Sequence, residues 1–309
     1  MTGYEGLHTA AAWFDLSGRG LVRMTGEDRT RLLHAMATND IQKLAPWHGC
    51  YTFFLNAQGR ILADANVFVL DNSYLLDTEP ETGEKLLQHL DQYVIADDVT
   101  FADESQQWAV IDVEGPESGK ILEQLQATPL DQPWDIQAWE GGMIATVSAT
   151  GAVGFRVFIP ASEKADVIAK LTSAGVPEAK PDEVRTVRIE NGKPRYGEDI
   201  TERYLAQETN QMHAVAYGKG CYLGQEIVER VRSRAQIHRM LHSVRIRSQS
   251  PPEPRTKLNV EGQDIAEITS AVFSPKLREV AALAYVRVEQ LQTKPEMKIT
   301  GTDITAYIP

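Results

Sequence analysis

The segment Lys219-Gly220-Cys221-Tyr222-Leu223-Gly224-Gln225-Glu226 sets one thiol and one amine between two glycines, a grouping suited to a reactive or ligand-forming cysteine. Gly220 and Gly224 allow the chain to turn with positive φ or to approach a partner closely. A helical pattern over Gln225 to Arg234 begins just beyond Cys221, which brings the thiol near a helix N-terminus. Partial positive charge there, with Lys219 close by, favours the thiolate. A buried, inert cysteine fits the same residues. The second cysteine, Cys50, is distant in sequence, and structural zinc sites or secreted scaffolds use more cysteines at closer spacing. The seven histidines show no ligand-like spacing, so no bound metal is expected.

The same region is the basic part of an acidic chain. Lys219 to Arg247 carries a net +5, whereas the whole protein carries −12 and the remainder −17. Such an island is a candidate anion site, and equally a solvated helix face. The overall charge argues against a surface built for nonspecific contact with nucleic acid or anionic lipid.

The chain of 309 residues exceeds what one core usually organises, and 42% hydrophobic residues suffice to fill two or three domains. No window approaches the roughly 18 apolar residues of a membrane span, and Met1 to Trp13 lacks the pattern of an export signal. A cytosolic protein with free thiols is the expectation. Leu32, Leu33 and Met36 form one stripe behind acidic first-turn residues, predicting a helix within Gly26 to Ala37. Strands are predicted at Tyr51 to Leu55, Ile61 to Leu70 and Tyr74 to Asp77, with turns at Asn56 to Gly59 and Asp71-Asn72. A helix over about Thr82 to Tyr93, strands near Val99 to Phe101 and Trp108 to Val113, and a helix at Glu117 to Leu125 follow. Further on come strands at Gly142 to Val147 and Gly154 to Ile159, then helices at Ala161 to Ala174 and Pro181 to Glu190, the latter with proline at its first position. From about residue 240 the pattern is strand after strand: Met240 to Arg247, Asp264 to Phe273, Val280 to Val288 and Met297 to Ile304. Ser248 to Arg255 is too proline-rich for regular structure. A small all-β domain at the C-terminus is expected.

Lys219 to Glu226 resembles the KGCYxGQE signature of the YgfZ family, a folate-binding branch of the glycine-cleavage T-protein superfamily whose eukaryotic relatives act in mitochondrial iron-sulfur protein maturation. Arg230, Arg232, Arg234 and Arg239 resemble that family's arginine-rich continuation, with Ala235 where glycine is common. Phe14 to Ser17, Thr38 to Asp40, Tyr51-Thr52 with Leu55-Asn56, and Gly59 to Asp64 are similar to stretches of T-proteins. So are Arg188 to Gly192 and Tyr196 to Ile200, where T-proteins read close to RLEAG and YGxDI.

The resemblance implies an α+β fold of three lobes: two interleaved α+β lobes and a C-terminal β-barrel. The boundaries expected are residues 1–46 with 141–238 for a folate-binding domain, 47–140 for an inserted ferredoxin-like domain, and 239–309 for the barrel, in a monomer. It also implies a tetrahydrofolate pocket facing Asp64, Glu190 and the Cys221 segment together. A reduced pterin presents N–H donors that a carboxylate accepts in charge-assisted bonds, and Glu190 is the matching anchor. Asp64 matches the key T-protein aspartate, while Ala63 replaces a second acid. Tyr196, Lys219 and Tyr222 are expected around the cofactor, and Arg232, Arg234 or Arg239 at its glutamate tail. Cys221 and Asp64 are the candidate catalytic groups.

Thr150 to Arg156 aligns with a T-protein stretch like TGEDGFE and lacks three of its acids, one replaced by Arg156. That loss, with the gain of Cys221, favours support of iron-sulfur cluster assembly or repair in client enzymes, including radical enzymes that modify transfer RNA. The alternative is aminomethyl transfer in glycine cleavage, where a positioned carboxylate serves as acid or base. A third reading, an RNA-binding module using the basic island, requires binding that weakens steeply with salt. Two cysteines cannot supply the usual four thiolates of a stable cluster, so client enzymes rather than a resident cluster are the expected partners.

Overall fold

A computed structural model describes residues 1–128, 130, 132–234 and 237–309, with the side chain of Arg234 excepted. The N-terminal part contains α1 (Gly3–Thr9), β1 (Ala12–Asp15), β2 (Gly20–Thr25) and α2 (Arg29–Met36). After these come β3 (Gly49–Leu55), β4 (Ile61–Val69), β5 (Tyr74–Thr78), α3 (Gly83–Asp91) and β6 (Thr100–Asp103). The next stretch has β7 (Trp108–Glu114), α4 (Ser118–Gln124), β8 (Ile136–Trp139), β9 (Gly142–Ala145), β10 (Gly154–Pro160) and α5 (Lys164–Ser173). Two more helices follow, α6 (Pro181–Glu190) and α7 (Gln225–Arg234). The C-terminal part holds β11 (Arg239–Ile246), β12 (Lys257–Val260), β13 (Gln263–Ser274), β14 (Glu279–Arg287), α8 (Val288–Thr293), β15 (Met297–Ile299) and β16 (Thr305–Tyr307).

These strands build two five-stranded sheets, in the orders β3-β4-β5-β2-β6 and β1-β7-β10-β9-β8, and a closed barrel β11-β14-β13-β12-β15-β16. The α+β class and the C-terminal barrel agree with the expectation. The sheets divide the chain differently from boundaries at 47 and 140. β2, from the first 46 residues, pairs with β5 and β6, whereas β7 and β8, from within 47–140, join β1, β9 and β10. Each strand follows the face it must bury: Val22 and Met24 of β2 share a core with Leu33, Ala65 and Leu76, while Ile111 and Val113 of β7 share one with Trp13, Phe155 and Leu171.

The two sheets meet through a third apolar cluster that joins Leu21, Phe68 and Leu75 to Val110, Met143 and Phe158. Phe68 and Phe158 touch edge to face, with ring centroids 5.9 Å apart. Side chains two apart on a strand share a face, so the layer holding Phe68, Leu75, Val110 and Phe158 continues along the same strands to Asn66 and Asp64, Asp77, Asp112, and Arg156. The inter-sheet layer is thus oily at one end and ionic at the other. The ionic end opens into a cavity.

Barrel and lobes are tied by α6 and the turn after it. Asp199 accepts hydrogen bonds from Thr269 and Ser270 of β13, both at 2.6 Å, and from Arg188 of α6 at 2.6 Å. No helix among the described residues is long and apolar enough to cross a membrane.

Candidate functional site

The cavity encloses about 600 Å³, within the usual range for small-molecule sites. Its walls come from the end of β1, from β3 to β5, from β10 and from α6 with the turn beyond it. Asp64 lies on the floor, only 7% exposed. Its Oδ2 accepts a 2.6 Å bond from the Tyr51 hydroxyl. No protein donor among the described residues reaches Oδ1. Burial, reinforced by the Glu79 carboxylate, pushes the Asp64 carboxyl up to about 6, although Tyr51, Arg19 and Lys193 pull the other way. An acid poised near neutrality in a cleft can both accept and release a proton.

Around Asp64 the other charges are mostly spoken for. Arg156 forks onto Asp112 through Nε to Oδ1 at 2.7 Å and Nη2 to Oδ2 at 2.8 Å, and its Nη1 reaches Asp77. Arg19 bonds Asp77 and donates to Glu79 at 2.7 Å, and Arg195 also meets Glu79, at 2.8 Å. Against burial, Arg156 and Arg19 hold Asp77 below the usual carboxylate range, and Arg19 and Arg195 do so for Glu79. Glu114, next in the layer, accepts bonds from Ser148, Ala149 and Thr150, while burial and the neighbouring Asp112 push its carboxyl upward.

Of the residues expected at the site, Asp64 alone lines this cavity among those described. Glu190 does not: its side chain, 4% exposed, accepts from the Tyr4 hydroxyl at 2.7 Å and from Ser274, and meets His8 Nε2 at 2.8 Å. These three partners consume the carboxylate and fasten α6 to α1 and the barrel, so Glu190 is corrected from pterin anchor to structural tie. Tyr196 sits behind β4, where its hydroxyl donates to the carbonyls of Ile61 and Leu62. It braces the strand that carries Asp64 and does not face the cavity.

The Cys221 segment lies apart from the cavity lining. Lys219 Nζ donates to the carbonyls of His34, Ala37 and Asn39 at 2.6, 2.6 and 2.7 Å, and the Leu223 N–H donates to Ala35 at 2.9 Å. An ammonium with three donors thereby satisfies carbonyls in the last turn of α2 and just beyond it, where the helix dipole favours a cation. Lys219 is therefore a helix cap, turned inward and away from a cofactor role. Gly224 has φ +81°, and a Cβ there would stand 2.6 Å from the Asn56 carbonyl oxygen, so the glycine is required by a close approach. Gly220 meets no comparable obstacle, its nearest neighbour being His34 Nε2 at 3.7 Å. Tyr222 is buried with Phe53, Leu55 and Val228. Cys221 is exposed, four residues before α7, so the alternative of a buried, inert cysteine is removed.

The expected tail-binding arginines are also elsewhere. Arg232 is exposed, over the Tyr217 ring at 4.7 Å, and Arg239 bonds Glu208 at 2.8 Å and lies over Tyr204. The side chain of Arg234, and Ala235, fall outside the described residues. Sequence reasoning gave no role to Tyr51, Arg19, Asp77 or Lys193. A signal existed in the alternation of β4, where Asp64 and Asn66 share the face of Phe68, because a strand face that turns polar at one end announces an opening.

The GCVT N-terminal domain family matches residues 3–219. An aminomethyltransferase of Rubrobacter xylanophilus is 27% identical over 293 residues, covering 93% of this chain and 78% of that one. Another from Deinococcus deserti is 28% identical over 319 residues, covering 98% and 87%. A relative from Arabidopsis thaliana, with a provisional transferase name and a chloroplast assignment, is 26% identical over 301 residues, covering 95% and 69%. Among solved structures, the glycine cleavage system aminomethyltransferase T from Bartonella henselae superposes with TM-score 0.89 at 18% identity, covering 99% of this chain and 86% of that one, which establishes the shared fold.

Proposed function

The chain belongs to the GCVT N-terminal domain family, and on that premise we propose that it binds tetrahydrofolate in the cavity floored by Asp64 and acts as a YgfZ-like helper in iron-sulfur cluster assembly or repair. The observation that carries the folate reading is the buried carboxylate with one oxygen held by Tyr51 and the other open to a cavity of about 600 Å³. The residues present fit a reduced pterin, whose ring N–H groups need an acceptor in an otherwise shielded site. Tetrahydrofolate, when bound, supplies nucleophilic nitrogens that carry one-carbon units. Asp64, ionised above about pH 6, accepts an N–H at Oδ1 while Tyr51 fixes Oδ2. Tyr196 steadies β4 from behind, and the two sheets exclude bulk water.

Two features support a helper over a transferase. Arg156, where the T-protein stretch carries an acid, is buried and locked by Asp77 and Asp112, so that position offers no carboxylate for aminomethyl transfer. The thiol of Cys221 is exposed, held at the surface by a segment whose lysine and glycine are fixed by packing, and thus accessible to a client enzyme. Iron-sulfur enzymes, among them radical enzymes that modify transfer RNA, are the clients proposed.

The second reading, aminomethyl transfer, is favoured by the names of the relatives. An assay with an aminomethyl-loaded carrier protein separates the two. The helper reading expects no tetrahydrofolate-dependent release of ammonia, together with lowered activity of iron-sulfur enzymes in cells lacking the protein or carrying Cys221→Ala. Robust ammonia release, with normal client activity in those cells, would sink it.

A further inference from the structure

Among the described residues, every cation lining the cavity but one is paired with a carboxylate. Arg19, Arg156 and Arg195 are paired as above, Arg185 and Arg188 both reach Glu198, and Arg188 also meets Asp199. Lys193 lines the same cavity, yet among the described residues no ion pair or hydrogen bond engages its Nζ. Its backbone is fixed: the N–H donates to the Arg188 carbonyl at 3.0 Å, the carbonyl accepts from Arg188 Nη1 at 2.7 Å, and Pro194 follows. The side chain therefore leaves a rigid turn and carries its ammonium over the Tyr51 ring, 5.8 Å from the centroid. Burial lowers its affinity for the proton, against the attraction of Asp64 and Glu114 and with the repulsion of Arg156 and Arg19. His213, tilted against Tyr51 with ring centroids 5.4 Å apart, is held below its ordinary value by burial and then by the Lys193 charge.

An ammonium that lines a cavity with no carboxylate bonded to it keeps its donors free for a ligand. Tyr51 links the two unfinished groups: its hydroxyl occupies Asp64 Oδ2, leaving Oδ1 open, and its ring lies beneath Lys193 Nζ. We propose that Asp64 Oδ1 and Lys193 Nζ are the two poles of one recognition element, which reads a ring edge bearing an N–H donor beside a carbonyl acceptor. Resting on the folate reading, this assigns the 4-oxo group of the reduced pterin to Lys193 and the N5–H beside it, a donor that 4-oxo and 4-amino ligands share, to Asp64. Lys193 is then the residue that selects 4-oxo over 4-amino pteridines, because an amino group would set a donor against an ammonium that has only donors to offer.

The test is titration calorimetry of the full chain with tetrahydrofolate and with its 4-amino counterpart, for wild type and Lys193→Met, with thermal unfolding to verify folding. Wild type should prefer the 4-oxo ligand by about tenfold or more, the discrimination expected when a buried polar group is left facing a like donor. Lys193→Met should lose that preference by weakening tetrahydrofolate while leaving the 4-amino ligand unchanged or improved. Should the methionine variant fail to fold, Lys193→Gln carries the test, since its amide meets either group and should bring the preference toward one. Unchanged preference in the variants, or equal weakening of both ligands, overturns the assignment while the folate reading stands. Failure of wild type to bind either ligand removes both.

Discussion

Asp64 is placed where ionisation is costly, and its usefulness follows from that cost. Its carboxyl is raised from 3.8 to about 6, which amounts to roughly 3 kcal/mol of lost stability once it is ionised, at ~1.4 kcal/mol per pH step. The folded state therefore binds this proton more tightly than the unfolded chain, so the stabilisation is complete below about pH 4 and lost as pH rises through about 6. Asp64→Asn removes that dependence. Urea unfolding of both proteins should show the variant gaining on wild type by up to about 3 kcal/mol between about pH 4 and about pH 7, and a pH-independent difference would contradict the buried-carboxylate account. The same group predicts that wild-type affinity for tetrahydrofolate rises as pH climbs through about 6, because only the carboxylate accepts the N–H at Oδ1, and that Asp64→Asn abolishes the rise. Residue identity made Asp64 legible through its match to T-protein sequence, whereas Glu190, equally well matched, is consumed by Tyr4, His8 and Ser274. A motif specifies which residue occurs, and only packing decides which way the carboxylate turns.

At the scale of elements, the KGCYLGQE segment is a strap across the end of α2. Lys219 caps three carbonyls, the Leu223 N–H takes a fourth, and Gly224 lets the strap pass within contact of the β3–β4 turn at Asn56. Removing the ammonium strands carbonyls that water reaches poorly, so Lys219→Ala should cost about 2–3 kcal/mol in denaturant unfolding. Lys219→Arg should restore little of it, because a planar fork cannot converge on three carbonyls as a tetrahedral ammonium does. Loss below about 0.5 kcal/mol, the size of an ordinary surface change, would show that the cap is ornamental. The bounds of α7 were readable because glycine and the acidic first turn mark its start. The strap itself was not, since its partners lie some 180 residues earlier and no local pattern encodes a carbonyl that needs a donor.

For the molecule as a whole, the three lobes are held by ionic pins as much as by apolar cores. Asp199, buried, collects Arg188, the Arg195 N–H, Thr269 and Ser270, which explains the YGxDI resemblance as the dock for the barrel. Asp199→Ala leaves Arg188 with less charge to face and should lower stability by about 3–5 kcal/mol, the usual result of breaking a buried pair. Calorimetry should show the barrel melting apart from the lobes, and a single unshifted transition would refute the docking role. The C-terminal all-β domain was legible from strand alternation after about residue 240, whereas its closure into a barrel and the three-lobed α+β fold came through the resemblance to T-proteins. The lobe boundaries were not, because β2 and β7 choose sheets by which face they bury, a long-range matter that local periodicity does not carry. The central claim is that the Asp64 cavity binds tetrahydrofolate, and the direct measurement is anaerobic titration calorimetry of wild type beside Asp64→Ala and Cys221→Ala. The account predicts binding by wild type and Cys221→Ala with equal affinity, and at least about tenfold weaker binding by Asp64→Ala, as for loss of a charged hydrogen bond. No binding by wild type, or undiminished binding by Asp64→Ala, would contradict it.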